Sequence, residues 1–151
     1  MNATMRCDED PLIRTVLIGG TGKIFCAGGD LRSFSEQGEN LSYHLKQLTT
    51  YFHLAVSHLI RMNIPTVAAV HGSAAGAGMS LACACDIVLA AKKARFTMAY
   101  TRAGLTPDGG SSYTLTRIVG LKRALELTMS NLVLFSRRGI RLGYCNTGCA
   151  R

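Results

Sequence analysis

The sequence predicts an α/β domain. Short apolar runs closed by Gly, Pro or a charge read as buried strands, and between them lie stretches with apolar residues at three- and four-residue steps. Two Gly/Ala-rich loops stand where such a strand gives way to a helix. Alternation of this kind builds a sheet covered by helices.

In chain order, Ile13–Ile18 (IRTVLI) is the first strand, and a loop with five glycines follows from Gly19 to Gly29. Leu41–Met62 is the clearest helix: Leu41, Leu45, Leu48, Phe52, Ala55 and Leu59 form one apolar stripe, and Asn63 and Pro65 end it. Thr66–Val70 is a second buried strand, Gly72–Gly78 a small-residue loop, and Met79–Cys85 a helix. Ile87–Ala90 and Arg95–Thr97 are further short strands, and Thr106–Gly110 is a turn. Gly109–Arg117 and Lys122–Met129 are helices separated by Gly120. Residues 1–130 are read as the core; residues 131–151 form a basic tail with four arginines, no acid and no sustained period, and are unassigned.

The 151 residues suffice for one domain with a real core, and 48% hydrophobic against 17% charged residues excludes a disordered chain. With no Trp, that core is mostly aliphatic. The net charge of +8 is concentrated late: from Gly109 onward seven basic residues face a single acid, Glu126. A basic surface suits nucleic acid, an anionic membrane or a phosphorylated small molecule, or it is simply a solvated face. No basic run is interleaved with aromatics, so nucleic acid is not expected as a partner. The six cysteines show no metal or disulfide spacing and read as buried free thiols in a reducing compartment. The opening MNATMRCDEDP has no apolar segment of a secretory signal. Thr66–Cys85 lacks a full charge and contains Gly72-x-x-x-Gly76, yet Ala, Gly and Ser dominate it, so a buried strand–loop–helix is expected rather than a membrane span.

The chemistry points to the loops Phe25-Cys26-Ala27-Gly28-Gly29-Asp30-Leu31 and His71-Gly72-Ser73-Ala74-Ala75-Gly76-Ala77-Gly78-Met79. Small residues there admit a ligand close to the backbone and free amide N–H groups as donors. Two such loops face to face can form a two-donor site for an oxyanion. Gly20-Thr21-Gly22-Lys23 hints at a phosphate loop, but Leu17 stands where the first glycine of that pattern belongs and Ile24 follows the lysine.

FCAGGDL, IPTVAAVHGSAAGAGMSLACACDIVLA, ARF and GLTPDGGSSYTLTRIVG, in that order and spacing, strongly resemble the crotonase superfamily, the enoyl-CoA hydratase/isomerase family, over about Ile13–Met129. The resemblance implies a spiral core of repeated strand–strand–helix units, incomplete at both ends. The family's first strands and C-terminal helices have no matching segment, and Ser136-Arg137-Arg138-Gly139 replaces its usual Ser-Ala-x-Glu-Ala-like helix start. It further implies an acyl-CoA thioester as substrate with no separate cofactor and no metal, a trimeric or hexameric homo-oligomer, and a cytoplasmic, mitochondrial or peroxisomal location, with cytoplasmic expected here.

Carried over by position, the amides of Gly29 and Ala77 would hold the thioester oxygen. Ala27 and Leu31 match positions lining the adenine pocket, and Lys23 and Arg32 stand where they pair with CoA phosphates or remain plain surface charges. Hydratases of the family use two glutamates; Ser80 and Tyr100 occupy those places, which argues against water addition by paired acids, and Tyr100 becomes a candidate lining residue of the acyl pocket. Asp108 matches the aspartate of isomerase-type members and would move a proton between carbons, or else cap the helix that follows it. His71 reads as a packed, hydrogen-bonded histidine and Asp86 as a structural acceptor. The expectation is an enoyl-CoA isomerase; a hydratase or another crotonase reaction, and a catalytically silent fragment that binds CoA weakly or pairs with intact subunits, are the alternatives.

Overall fold

Three successive strand–strand–helix turns organise the chain, as seen in a computed structural model that describes residues 2–149. After a helix α1 (Asn2–Glu9), β1 (Val16–Ile18) leads to an isolated bridge at Cys26 and then to α2 (Leu31–Ser35) and α3 (Leu41–Arg61). The second turn is β2 (Thr66–Val70), β3 (Ser73–Ala75) and α4 (Ala77–Cys83). The third is β4 (Ile87–Ala91), β5 (Arg95–Thr97) and the pair α5 (Ser111–Val119) and α6 (Leu121–Ser130). Each turn places its first strand in one sheet and its second along another, which is the spiral that the resemblance implied.

The larger sheet has the order β1-β2-β4-β7 and is parallel throughout, with β7 spanning Thr147–Cys149. The smaller sheet has the order β3-β5-β6, where β6 (Leu134–Phe135) runs antiparallel to β5. Alternation along β2 and β4 sends Thr66, Ala68, Val70, Val88 and Ala90 inward. Ala68, Ala74, Ala82, Ala90 and Ala94 are fully buried, and their small side chains let the layers approach around Met79, Phe96, Leu115 and Leu127. Asp86 ties the start of β2 to the start of β4: its carboxylate accepts from the Thr66 backbone N–H and hydroxyl, both at 2.8 Å, and its own N–H donates to Thr66 Oγ1 at 2.9 Å.

The segment after Asn131, in which the sequence shows no period, is joined to the core by long-range contacts. It holds β6, α7 (Ser136–Arg141) and β7. Tyr144 is 2% exposed, packs edge-on against Phe96 at 4.7 Å and donates its hydroxyl proton to the Met79 carbonyl. Ser136 donates to the Lys92 carbonyl, and Asn146 exchanges two hydrogen bonds with Val88. Cys83, Cys85 and Cys145 are buried free thiols, whereas Cys7 and Cys26 are partly exposed. Among the described residues, no helix is long and apolar enough to cross a membrane, and no cluster of His, Cys, Asp and Glu could hold a metal ion.

Candidate active site

The two glycine loops are stitched side by side. Phe25 and Cys26 donate their backbone N–H groups to the Ser73 carbonyl at 3.0 and 3.1 Å, and Ala75 donates back to the Cys26 carbonyl at 2.9 Å. Only glycine fits this seam at two points. A Cβ on Gly78 would lie 2.3 Å from the Cys26 carbonyl oxygen, and one on Gly28, whose φ is +93°, would lie 2.9 Å from the Ala75 carbonyl oxygen and 3.2 Å from the Ala77 nitrogen. The first loop therefore rests directly on the start of α4, where Ala77 is the first helical residue. Neither the Gly29 nor the Ala77 N–H has a hydrogen-bond acceptor among the described residues. The Phe34 ring of α2 lies over Gly29 and leaves no room for a side chain there. Asp30 caps α2 by accepting from the Arg32 and Ser33 N–H groups.

These loops form the floor of a cleft of about 1230 Å³. Ala27, Gly28, Gly29, Gly76 and Ala77 line the floor, and Leu45, Leu48, Phe52 and Val56 of α3 line a wall. Tyr100, Leu105, Pro107, Asp108 and Tyr113 close one end. A concave, mostly apolar space with few converging polar groups is the usual form of a small-molecule site. Asp108 is the only carboxylate among the described lining residues; His53 and Arg61 of α3 are its basic counterparts.

Asp108 does not cap α5. The residue at the helix start is Gly110, in the left-handed region at φ +68°, and no side chain caps it. The Asp108 carboxylate instead accepts a 2.6 Å hydrogen bond from the Tyr100 hydroxyl, which lies 2.7 Å from the Ser80 hydroxyl. Ser80 is fully buried and Tyr100 6% exposed. Burial, followed by the neighbouring Asp108, pushes the Tyr100 hydroxyl far above its ordinary pKa, so this group is a proton donor to hydrogen bonds and not a phenolate. Gly109 fixes the turn: the space where its Cβ would stand is 2.4 Å from the Phe52 ring and 3.0 Å from Ser80 Cβ.

Of the residues singled out from sequence, Gly29, Ala77, Asp108, Ala27 and Tyr100 converge on the cleft. Leu31 and Arg32 lie on α2, exposed and outside its lining. Lys23 borders a smaller hollow of about 450 Å³ with His71, Lys93 and Arg95. His71 is hydrogen-bonded, its Nε2 lying 3.2 Å from the Gly22 carbonyl oxygen. Sequence reading missed the wall. The α3 stripe looks like a core face, yet only Val56 and Leu59 of that helix are buried, and Leu45, Leu48 and Phe52 face the cleft. The polar Thr49, His53 and Ser57 next to the stripe were the available signal, since they line the same space.

The sequence model described as enoyl-CoA hydratase/isomerase matches residues 1–134. A 4-chlorobenzoyl coenzyme A dehalogenase from Arthrobacter sp is 31% identical over 97% of this chain and 53% of its own length. A 1,2-epoxyphenylacetyl-CoA isomerase from Escherichia coli is 37% identical over 81% of this chain and 47% of its own. The crystal structure of an enoyl-CoA hydratase from Polaromonas sp. JS666 superposes with a TM-score of 0.91 at 38% identity, covering 99% of this chain and 58% of that one. The chain thus spans about half the length of the curated relatives it matches.

Proposed function

Because this chain belongs to the enoyl-CoA hydratase/isomerase family, we propose that its cleft takes an enoyl-CoA thioester and that Asp108 moves the proton that shifts the double bond. In this reading the carboxylate removes a proton from C2 of a 3-enoyl-CoA. The C–H electron pair enters the conjugated dienolate, whose oxygen is held by the Gly29 and Ala77 N–H groups, and the same proton is returned at C4 to leave a 2-enoyl-CoA. Two preorganised amides suit that oxygen, and the loss of one such donor typically costs about 2.7–4 kcal/mol of transition-state stabilisation. No separate cofactor is needed, since the thioester itself supplies the electron sink.

The observation that carries this reading is the lone carboxylate. Among the described residues Asp108 has no acidic partner in the cleft, and Ser80 and Tyr100 provide hydroxyl groups only. Addition of water by two cooperating acids has no second acid here, whereas a proton shuttle needs a single basic oxygen. Replacement Asp108→Asn is expected to lower isomerisation of a 3-enoyl-CoA by about 10²–10⁴-fold while acyl-CoA binding, measured by calorimetry, stays within about twofold of the parent. Unchanged turnover in that variant removes the reading.

A second reading is favoured by the dehalogenase relative: the same isolated carboxylate can attack a substrate carbon as a nucleophile. Product analysis with a 3-enoyl-CoA and with 4-chlorobenzoyl-CoA separates the two. A third is a catalytically silent partial protein that binds CoA weakly or pairs with intact subunits; cooperative unfolding with no thermal shift on adding CoA would favour it over either reaction. Homo-oligomerisation to a trimer or hexamer and a cytoplasmic location are part of the proposal, the latter supported by the buried free thiols, which suit a reducing compartment.

A further inference from the structure

We propose that Tyr100, oriented by Ser80, is the positioning residue that holds one oxygen of Asp108 and leaves the other as the single basic atom facing the cleft. This rests on the reading of Asp108 as the proton carrier. Three atoms define the arrangement: Asp108 Oδ1, Tyr100 Oη at 2.6 Å and Ser80 Oγ at 2.7 Å from Oη. Each hydroxyl has one proton to donate. With Asp108 ionised, the Tyr100 proton points to Oδ1, and the hydrogen bond between Ser80 and Tyr100 then takes its proton from Ser80. The other acceptor open to Ser80, the Gly76 carbonyl at 3.4 Å, is a poorer one. The chain therefore runs one way, from Ser80 through Tyr100 to Asp108.

The second carboxylate oxygen is distinguished by what it lacks. Asp108 Oδ2 has no hydrogen-bond partner among the described residues and is not among the buried, unsatisfied side-chain atoms, so it is accessible on a residue that lines the cleft. A carboxylate free to rotate would offer either oxygen; clamped at Oδ1, it offers one. The backbone supports the clamp. Ala99, immediately before Tyr100, adopts φ +54°, a left-handed conformation that non-glycine residues seldom take and that persists where the surroundings impose it. On the far side, Gly109 is pinned between the Phe52 ring and Ser80. The remaining titratable groups around the cleft are Cys26 on the first loop, His53 and Arg61 on α3, and Tyr113 on α5, and none of them bonds the carboxylate.

The test uses Tyr100→Phe, Ser80→Ala and the double variant, with two readouts. The first is the NMR chemical shift of the Asp108 carboxyl carbon at one fixed pH in aspartate-labelled protein, with Asp108→Asn giving the assignment; it requires no activity. The second is the split of kcat and KM with a 3-enoyl-CoA. Loss of the hydrogen bond to Oδ1 should move that resonance in Tyr100→Phe, and move it less in Ser80→Ala. The double variant should match Tyr100→Phe alone, because Ser80 acts through Tyr100. The kcat should fall about tenfold in Tyr100→Phe with KM within about twofold, as expected when only transition-state positioning is lost. A carboxyl resonance that is unchanged in Tyr100→Phe, or changes that simply add in the double variant, would overturn the proposal. If the carboxyl resonance moves as expected and no variant, nor the parent, isomerises the substrate, the clamp stands and the isomerase reading falls.

Discussion

Across the cleft, floor and wall are packed to very different tolerances. On the floor, an added Cβ at Gly78 would meet a backbone oxygen at 2.3 Å, and one at Gly28 would do so at 2.9 Å. On the wall, α3 buries only Val56 and Leu59 and leaves Leu48 and Ile60 each 43% exposed. The floor holds the Gly29 and Ala77 amides between two loops joined by main-chain contacts, and backbone cannot change rotamer. The wall has only to present apolar surface, which flexible side chains supply with room to adjust. Close main-chain packing and looser side-chain packing thus line different parts of one space.

The largest effect expected from this contrast is at Gly78. Replacement Gly78→Ala forces the seam between the loops apart and should destabilise the fold by about 3 kcal/mol, read as a lower urea midpoint with an unchanged slope. A midpoint equal to that of the parent would break the contrast from the floor side.

A pH experiment probes how dry the interior behind the floor is. Burial raises the Cys83 thiol on α4 from 9.0 to about 12 and the Cys85 thiol from 9.0 to about 11. A thiol whose pKa is higher in the folded state favours folding fully below pH 9, and that contribution is lost as pH rises from 9 toward those values. Each such group steepens the fall by about 1.4 kcal/mol per pH unit. Denaturant titrations between pH 8 and pH 11 should show this loss, and Cys83→Ala should make the fall shallower by one proton's worth. A thiol reagent at pH 8 should label Cys7 and Cys26 in the folded protein and reach Cys83 only on unfolding; prompt labelling of Cys83 would show that the interior is not dry.

On the wall, Leu48→Ala should cost less than about 1 kcal/mol of stability, as befits a side chain 43% exposed. Its effect should appear instead as a higher KM for long acyl chains than for short ones. The smallest effect is at Gly19, which has neither a positive φ nor any atom within 4 Å of an added Cβ. Gly19→Ala should be neutral or stabilise by about 0.4–1 kcal/mol through the unfolded chain. A large loss there would mean that glycines in this loop matter as a class, and that the contacts found at Gly28 and Gly78 are not what sets them apart.

The sequence alone determined what depends on residues near one another in the chain. The strand runs at Thr66–Val70 and Arg95–Thr97 and the helix from Leu41 were legible because a short apolar run, a stripe and terminating Asn and Pro are local signals. The two glycine loops were legible because a small residue next to a strand end is a backbone signal that needs no partner to interpret. Tertiary structure decided whatever depends on which segments meet. Whether the α3 stripe faced a core or an opening and whether residues after Asn131 joined the sheet turned on contacts between segments well separated in sequence, and whether Asp108 capped a helix or accepted from Tyr100 turned on how the chain between these two residues folds back. Apolar spacing reads the same against either neighbour, and a carboxylate takes whichever donor the fold brings within 3 Å. That choice belongs to the packing of the folded chain and not to the local sequence pattern.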